Sequence, residues 1–314
     1  MTMKFHAHGL AAASVLCALT GLAHADELSC AAIRLSDPGW TDITATNGVA
    51  SVVTESLGYA PEVRTLSVPI GYEAMKTGDL DVFLGNWMPA QQHFIDDLTA
   101  ADAIEVLGQN LAGAKFTLAV PSYMAAQGVA DFADLAAHGD AFDHKIYGIE
   151  SGAPANASIQ KMIDTNDFGL SGWSLVESGE QAMLAQVERA EKAGEGIVFL
   201  AWAPHPMNTA HELTYLSGGD AYFGPDYGGA QVYTLARKGW SEACPNAAKL
   251  FTQMQFELEM ENALMGEILD GTDSKVAATA WLKAHPEAMD PWLEGVTTLE
   301  GAPGADAVKV ALGL

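Results

Sequence analysis

Short apolar runs alternate along this chain with longer segments whose apolar positions recur at helical spacing. The runs at Ser29–Leu35, Val63–Ser67, Asp81–Leu84, Phe116–Val120, Lys145–Ile149, Leu175–Val176, Ile197–Trp202 and Gln231–Ala236 read as strands. Helical patterns fall between them, at Ile43–Leu57, Ile70–Thr77, Asp131–Ala137, Ser158–Asn166, Glu180–Ala193 and Ala247–Glu261. Ser178, just ahead of Glu180 and Gln181, reads as a helix cap. The stretch Gln253–Ala288 is rich in Met, Leu and Trp at helical spacing. This order predicts an α/β fold with a mostly parallel sheet and helices on both faces. The chain shows no internal repeat, low-complexity block or long linker.

Three of the predicted strands run out into a tryptophan. Trp40 follows Asp37-Pro38-Gly39, Trp87 follows Gly85-Asn86, and Trp202 precedes Pro204 and Pro206. One tryptophan in a turn usually caps the core. Three at equivalent strand ends point to a site, because ligands in open α/β sheets bind beyond the carboxyl ends of the strands. Phe116 is expected at the start of its strand, after Ala112-Gly113-Ala114, a connection suited to crossing between lobes. Trp173, Trp240, Trp281 and Trp292 read as packing residues.

The first 25 residues read as a cleaved export signal. Lys4 opens it, Leu10–Leu22 is apolar, and Ala23-His24-Ala25 offers small residues for cleavage, so the mature chain is expected to start near Asp26. Bulky Leu16 before Cys17 argues against a lipid anchor. Export into an oxidising compartment leaves Cys30 and Cys244 to read as one disulfide, with two buried free thiols as the alternative. The remaining length suffices for two lobes.

The sequence carries 40 acidic and 15 basic residues, a net charge of −25. Such a surface repels nucleic acid and anionic membranes and mildly favours a cation. Clustered indole faces attract cations, with quaternary ammonium groups as their usual guest. A trimethylammonium head has no N–H to donate, so aromatic faces suit it better than carboxylates alone. Asp42, two residues after Trp40, would add charge attraction or accept a bond from a ligand hydroxyl. An exported hydrolase is disfavoured by the absence of G-x-S-x-G, with Ser151 and Ser158 read as caps. A metal binder is disfavoured because His205, His211 and Glu212 lack a known ligand spacing.

The motifs SDPGWTD (36–42), DVFLGNWMP (81–89), GAKFTLAVP (113–121) and VFLAWAPHPMN (198–208) together resemble the substrate-binding proteins of ABC transporters for quaternary amines. Within that group the chain is most similar to the periplasmic choline binders, over nearly its whole mature length. The resemblance implies a two-lobed Venus-flytrap fold of type II with two interlobe crossings. One lobe would comprise residues 26–111 and 212–314, the other residues 112–211. It implies an aromatic box of Trp40, Trp87, Phe116 and Trp202 with Asp42 as the acidic contact, and a Cys30–Cys244 bridge. It further implies an inner-membrane permease as partner, action as a monomer, and neither cofactor nor catalysis. The choline pattern carries Tyr where this chain has Phe116. It also carries a polar Asn after the turn Gly148-Ile149-Glu150-Ser151-Gly152, where this chain has Ala153, with Asn156 three residues on. These departures keep trimethylamine N-oxide, glycine betaine and other methylated amines open beside choline. Betaine is the less favoured, because its carboxylate wants cationic donors, and neither Arg34 nor Lys115 is clearly aimed at the cleft.

Overall fold

The structure, a computed structural model, describes residues 28–314. The export signal expected at residues 1–25, with Cys17, lies outside the described residues. Among the described residues nine strands form one sheet: β1 (Ala32–Asp37), β2 (Ala60–Thr65), β3 (Val82–Met88), β4 (Ile104–Pro121), β5 (Lys145–Tyr147), β6 (Ser174–Val176), β7 (Phe199–Ala203), β8 (Leu213–Tyr215) and β9 (Gly229–Arg237). Their order is β2-β1-β3-β9-β4-β7-β5-β6, with β8 beside β4.

The sheet is mixed, which corrects the mostly parallel expectation. β1 runs parallel to β2 and β3, and β5 runs parallel to β6 and β7. Between these two parallel halves lie β4 and β9, antiparallel to each other and to their outer neighbours. They carry the chain between two lobes. β4 is 18 residues long and pairs first with β9, then with β7 from Lys115 onward. Register shifts between Val106 and Ala114 bend it on the way. Alternation alone exposed only the last part of β4, because the earlier residues form a bulged crossing with half-buried faces.

The helix α1 (Thr41–Ser56) follows β1 and is buried on nearly every face. The helices Leu258–Leu269 and Ser274–Ala284 pack over it, so late segments of the sequence close over an early one. Gly48 permits this approach, since a Cβ there would stand 2.7 Å from the Ser274 carbonyl oxygen. The helix expected over 247–261 is two helices, Pro245–Gln253 and Leu258–Leu269, separated by Met254–Glu257. Ser158 lies inside the helix Pro154–Asp164, whose cap position is Ala153. Ser178 caps nothing either: Gly179 precedes the helix Glu180–Ala193, and the buried Ser178 hydroxyl has no protein partner.

Cys30 and Cys244 are bonded, with Cα atoms 5.6 Å apart across 214 residues of sequence. The bridge ties the start of β1 to the junction between the helices Trp240–Ala243 and Pro245–Gln253. Trp173, Trp240 and Trp292 are buried packing residues, and Trp281 stacks on His285. No helix among the described residues is long and apolar enough to cross a membrane.

Candidate functional site

The turn after β1 delivers the first aromatic. Gly39 adopts φ +88°, and its N–H donates to the Asp37 carboxylate at 2.7 Å. The same carboxylate accepts from Thr44 Oγ1 at 2.8 Å, so the turn is fastened to α1. Burial raises the Asp37 pKa above the usual carboxylate range. Trp40 therefore stands immediately before α1, and Asp42 is the helix's second residue.

Trp87 occupies a strand position rather than a turn, which corrects the sequence reading, and Trp202 lies on its strand as expected. Each is the penultimate residue of its strand, β3 or β7. Phe116 lies late in β4 instead of at a strand start. Its directly opposite partner on β7 is Trp202, so the two side chains project from one face of the sheet. Trp87 meets the Phe116 ring edge to face, with centroids 6.2 Å apart at 89°. Trp87 Nε1 also donates to Asp42 Oδ2 at 3.0 Å, fixing indole and carboxyl together.

Trp40, Asp42, Trp87, Phe116 and Trp202 thus surround one cavity of about 50 Å³, completed by small and apolar neighbours including Ile149, Pro154 and Leu200. All four aromatic residues and Asp42 are buried. By a measure in which one water needs ~10–15 Å³, the space admits a compact group. Gln91 also reaches the lining, but its amide is committed to Gly85, Tyr72 and Asn86. Asp42 is consequently the ionisable group of the wall.

Burial pushes Asp42 up to about 7; the charge of Glu180 adds to this and the Trp87 bond opposes it. Glu150 is likewise raised to about 7 by burial, against the bond it accepts from Trp40 Nε1 at 2.8 Å. Glu261 is pushed well above the usual range by burial and by the charge of Asp42. These carboxyls hold negative charge at a cost that an entering cation would relieve.

Ala153 and Asn156 do not join the aromatic wall. They line an adjoining cavity of about 380 Å³ with His93, Phe94 and Glu177. The Asn156 amide is spent on the local backbone: Nδ2 donates to Ile149 O and Glu150 O, and Oδ1 accepts from Ile149 N–H. Arg34 forks onto Asp81, which also binds Arg237, and the Lys115 ammonium sits 4.1 Å over the Tyr215 ring. His205 and His211 go to separate carboxylates, Glu180 and Glu191. Sequence reasoning missed Glu150 and Glu180 as neighbours of the site. Glu150 lies in a turn that was noticed for other residues, and Glu180 is hidden in an ordinary helical pattern.

Residues 31–284 match the family described as the substrate binding domain of ABC-type glycine betaine transport system. An ABC-transporter choline binding protein solved in complex with choline is 52% identical, with TM-score 0.90, covering 92% of this chain and 100% of its own. Lactococcal OpuAC, solved closed with glycine betaine, is 27% identical at TM-score 0.76, covering 83% of this chain and 98% of its own. The glycine betaine/proline betaine-binding periplasmic protein of Escherichia coli (strain K12) is 22% identical over 303 residues, 81% of this chain and 86% of that protein. These likenesses extend to a two-lobed periplasmic-binding fold of type II.

Proposed function

The chain belongs to the family of substrate-binding domains of ABC-type glycine betaine transporters, and from that premise we propose that it captures choline in the periplasm and presents it to an inner-membrane permease. The single observation that carries this reading is the shared cavity, in which rings from both lobes meet around one carboxyl. Trimethylammonium brings diffuse charge and apolar methyls, which indole and phenyl faces satisfy together. Choline's hydroxyl finds an acceptor in Asp42. The resemblance to a choline complex at 52% identity supports the same ligand.

Betaine fits less well. The lining holds no Lys, Arg or His, and the two basic side chains nearest in sequence are engaged elsewhere. A carboxylate would face Asp42 without a cationic partner. The second reading is trimethylamine N-oxide, favoured by Phe116 and by an Ala153 that contributes no polar group. Calorimetric titration with choline, trimethylamine N-oxide and glycine betaine tests the assignment. Choline is expected to bind tightest; heat from the N-oxide alone would replace it as ligand, and silence from all three would remove the reading.

The work of such a protein is capture and release by a monomer, with no catalytic step. Its first lobe begins at the mature N-terminus and runs to residue 111, its second from 112, as the entry of β4 into pairing with β7 supports. The sequence-based return at 212 moves, in our reading, to β9, because β8 pairs with β4 at Ala119–Pro121.

Asp42 gives the binding reaction a defined pH slope. A cation stabilises the ionised carboxylate, so it lowers the pKa from about 7 and releases a proton on binding. Choline affinity should therefore rise with pH through that value, by about tenfold for each unit of pKa shift. Asp42→Asn should weaken binding at pH 8 and flatten the slope. Trimethylamine N-oxide would show the opposite slope, since its oxygen needs the protonated carboxyl as donor. Titrations at pH 6 and pH 8 separate the two.

A further inference from the structure

A second set of contacts spans the cleft beside the aromatic cavity. Glu180 is buried as the first residue of the helix Glu180–Ala193. It accepts from Thr41 N–H at 3.0 Å and from the Thr41 hydroxyl. Thr41 is the first residue of α1, so one carboxylate stands at the N-termini of two helices that belong to different lobes. His205 shares one of these oxygens with the Thr41 hydroxyl, its Nε2 standing 3.1 Å from Glu180 Oε1. His205 Nδ1 accepts from Met207 N–H at 2.9 Å, so Nε2 bears the proton and donates.

Both ends of this chain of bonds touch the box. Thr41 follows Trp40 directly, and the His205 ring packs against Trp202 at 4.9 Å. We propose that Glu180 is a positioning residue for ligand capture: its carboxylate latches α1 across the cleft and holds Trp40 and Trp202 in register around the guest. Buried charge explains the specificity of the contact. A carboxylate leaves water only where donors meet it, and here two of its three donors come from the opposite lobe. Opening separates Glu180 from Thr41 while His205 stays with it. The latch contributes nothing to the ligand contacts themselves, so it acts on escape rather than entry.

The ligand readout rests on the choline reading, and the experiment keeps the two apart. Titration of the wild type decides the ligand. Thr41→Val, Thr41→Ser and Glu180→Gln are then compared with the wild type by stopped-flow tryptophan fluorescence, using whichever methylated amine the wild type binds. Thr41→Val and Glu180→Gln should raise koff about tenfold while kon changes by less than about threefold, and Thr41→Ser should restore koff. Deuterium exchange of the Thr41–Thr44 amides in ligand-free protein needs no ligand at all, and should be faster in Glu180→Gln than in the wild type. Unchanged koff in both variants, or a loss of affinity carried by kon, overturns the latch; so does equal amide exchange if no amine binds.

Discussion

Trp87→Ala is expected to weaken choline binding by well over tenfold. A desolvated indole face contributes ~2 kcal/mol or more to a bound cation, and every 1.4 kcal/mol is tenfold in affinity. Trp87 also does two further things. Its Nε1 holds Asp42 at 3.0 Å, and its ring meets Phe116 edge to face across the cleft. Truncation therefore removes a wall, frees the carboxyl proposed to meet the ligand's hydroxyl, and opens the cavity toward β3. Trp202→Ala removes the facing wall and should cost a similar factor. Trp87→Phe keeps a ring face but loses the bond to Asp42, so its loss should be the smaller. Calorimetry reads all three, and thermal melts of the ligand-free variants separate lost contacts from lost folding. Near-normal affinity in both alanine variants would take the aromatic cavity out of the account.

Removing the Cys30–Cys244 bridge should lower stability and spare binding. The bridge spans 214 residues of sequence, and in the chain-entropy picture closing so long a loop stabilises by at most ~5 kcal/mol. For a chain of this size that corresponds to roughly 10 °C in melting temperature. Neither cysteine lines the cavity, and the bridge lies between the start of β1 and the helix Pro245–Gln253. The variant Cys30→Ser with Cys244→Ser should thus melt earlier while its affinity stays within about twofold of the wild type at a temperature where both are folded. An unchanged melting temperature would show that the native core alone fixes these ends.

Much of the site was visible in the order of residues because aromatic side chains are rare and their settings repeat. Trp40, Trp87 and Trp202 each follow a strand-like run, and Asp42 stands two residues from the first. The same periodicity could not find the full length of β4, whose register shifts break the alternation between Val106 and Ala114. It placed Trp87 in a turn because Gly85-Asn86 and Pro89 stand so close, whereas β3 continues through the indole to Met88. Asn156, a polar residue in the right neighbourhood, was a candidate for the ligand; its amide instead holds the turn at Ile149 and Glu150.

Local pattern determined the α/β alternation, the expectation that Cys30 and Cys244 pair, and the residue types able to attract an onium ion. These depend on spacing and composition along a line. Tertiary structure alone decided that β4 and β9 run antiparallel between two parallel half-sheets, and that Phe116 and Trp202 face the same way as cross-strand partners. It also decided which carboxyls are buried together, and so which have pKa values raised by burial. Burial and electrostatic coupling arise between residues more than a hundred positions apart, such as Thr41 and Glu180, and no local pattern encodes that distance.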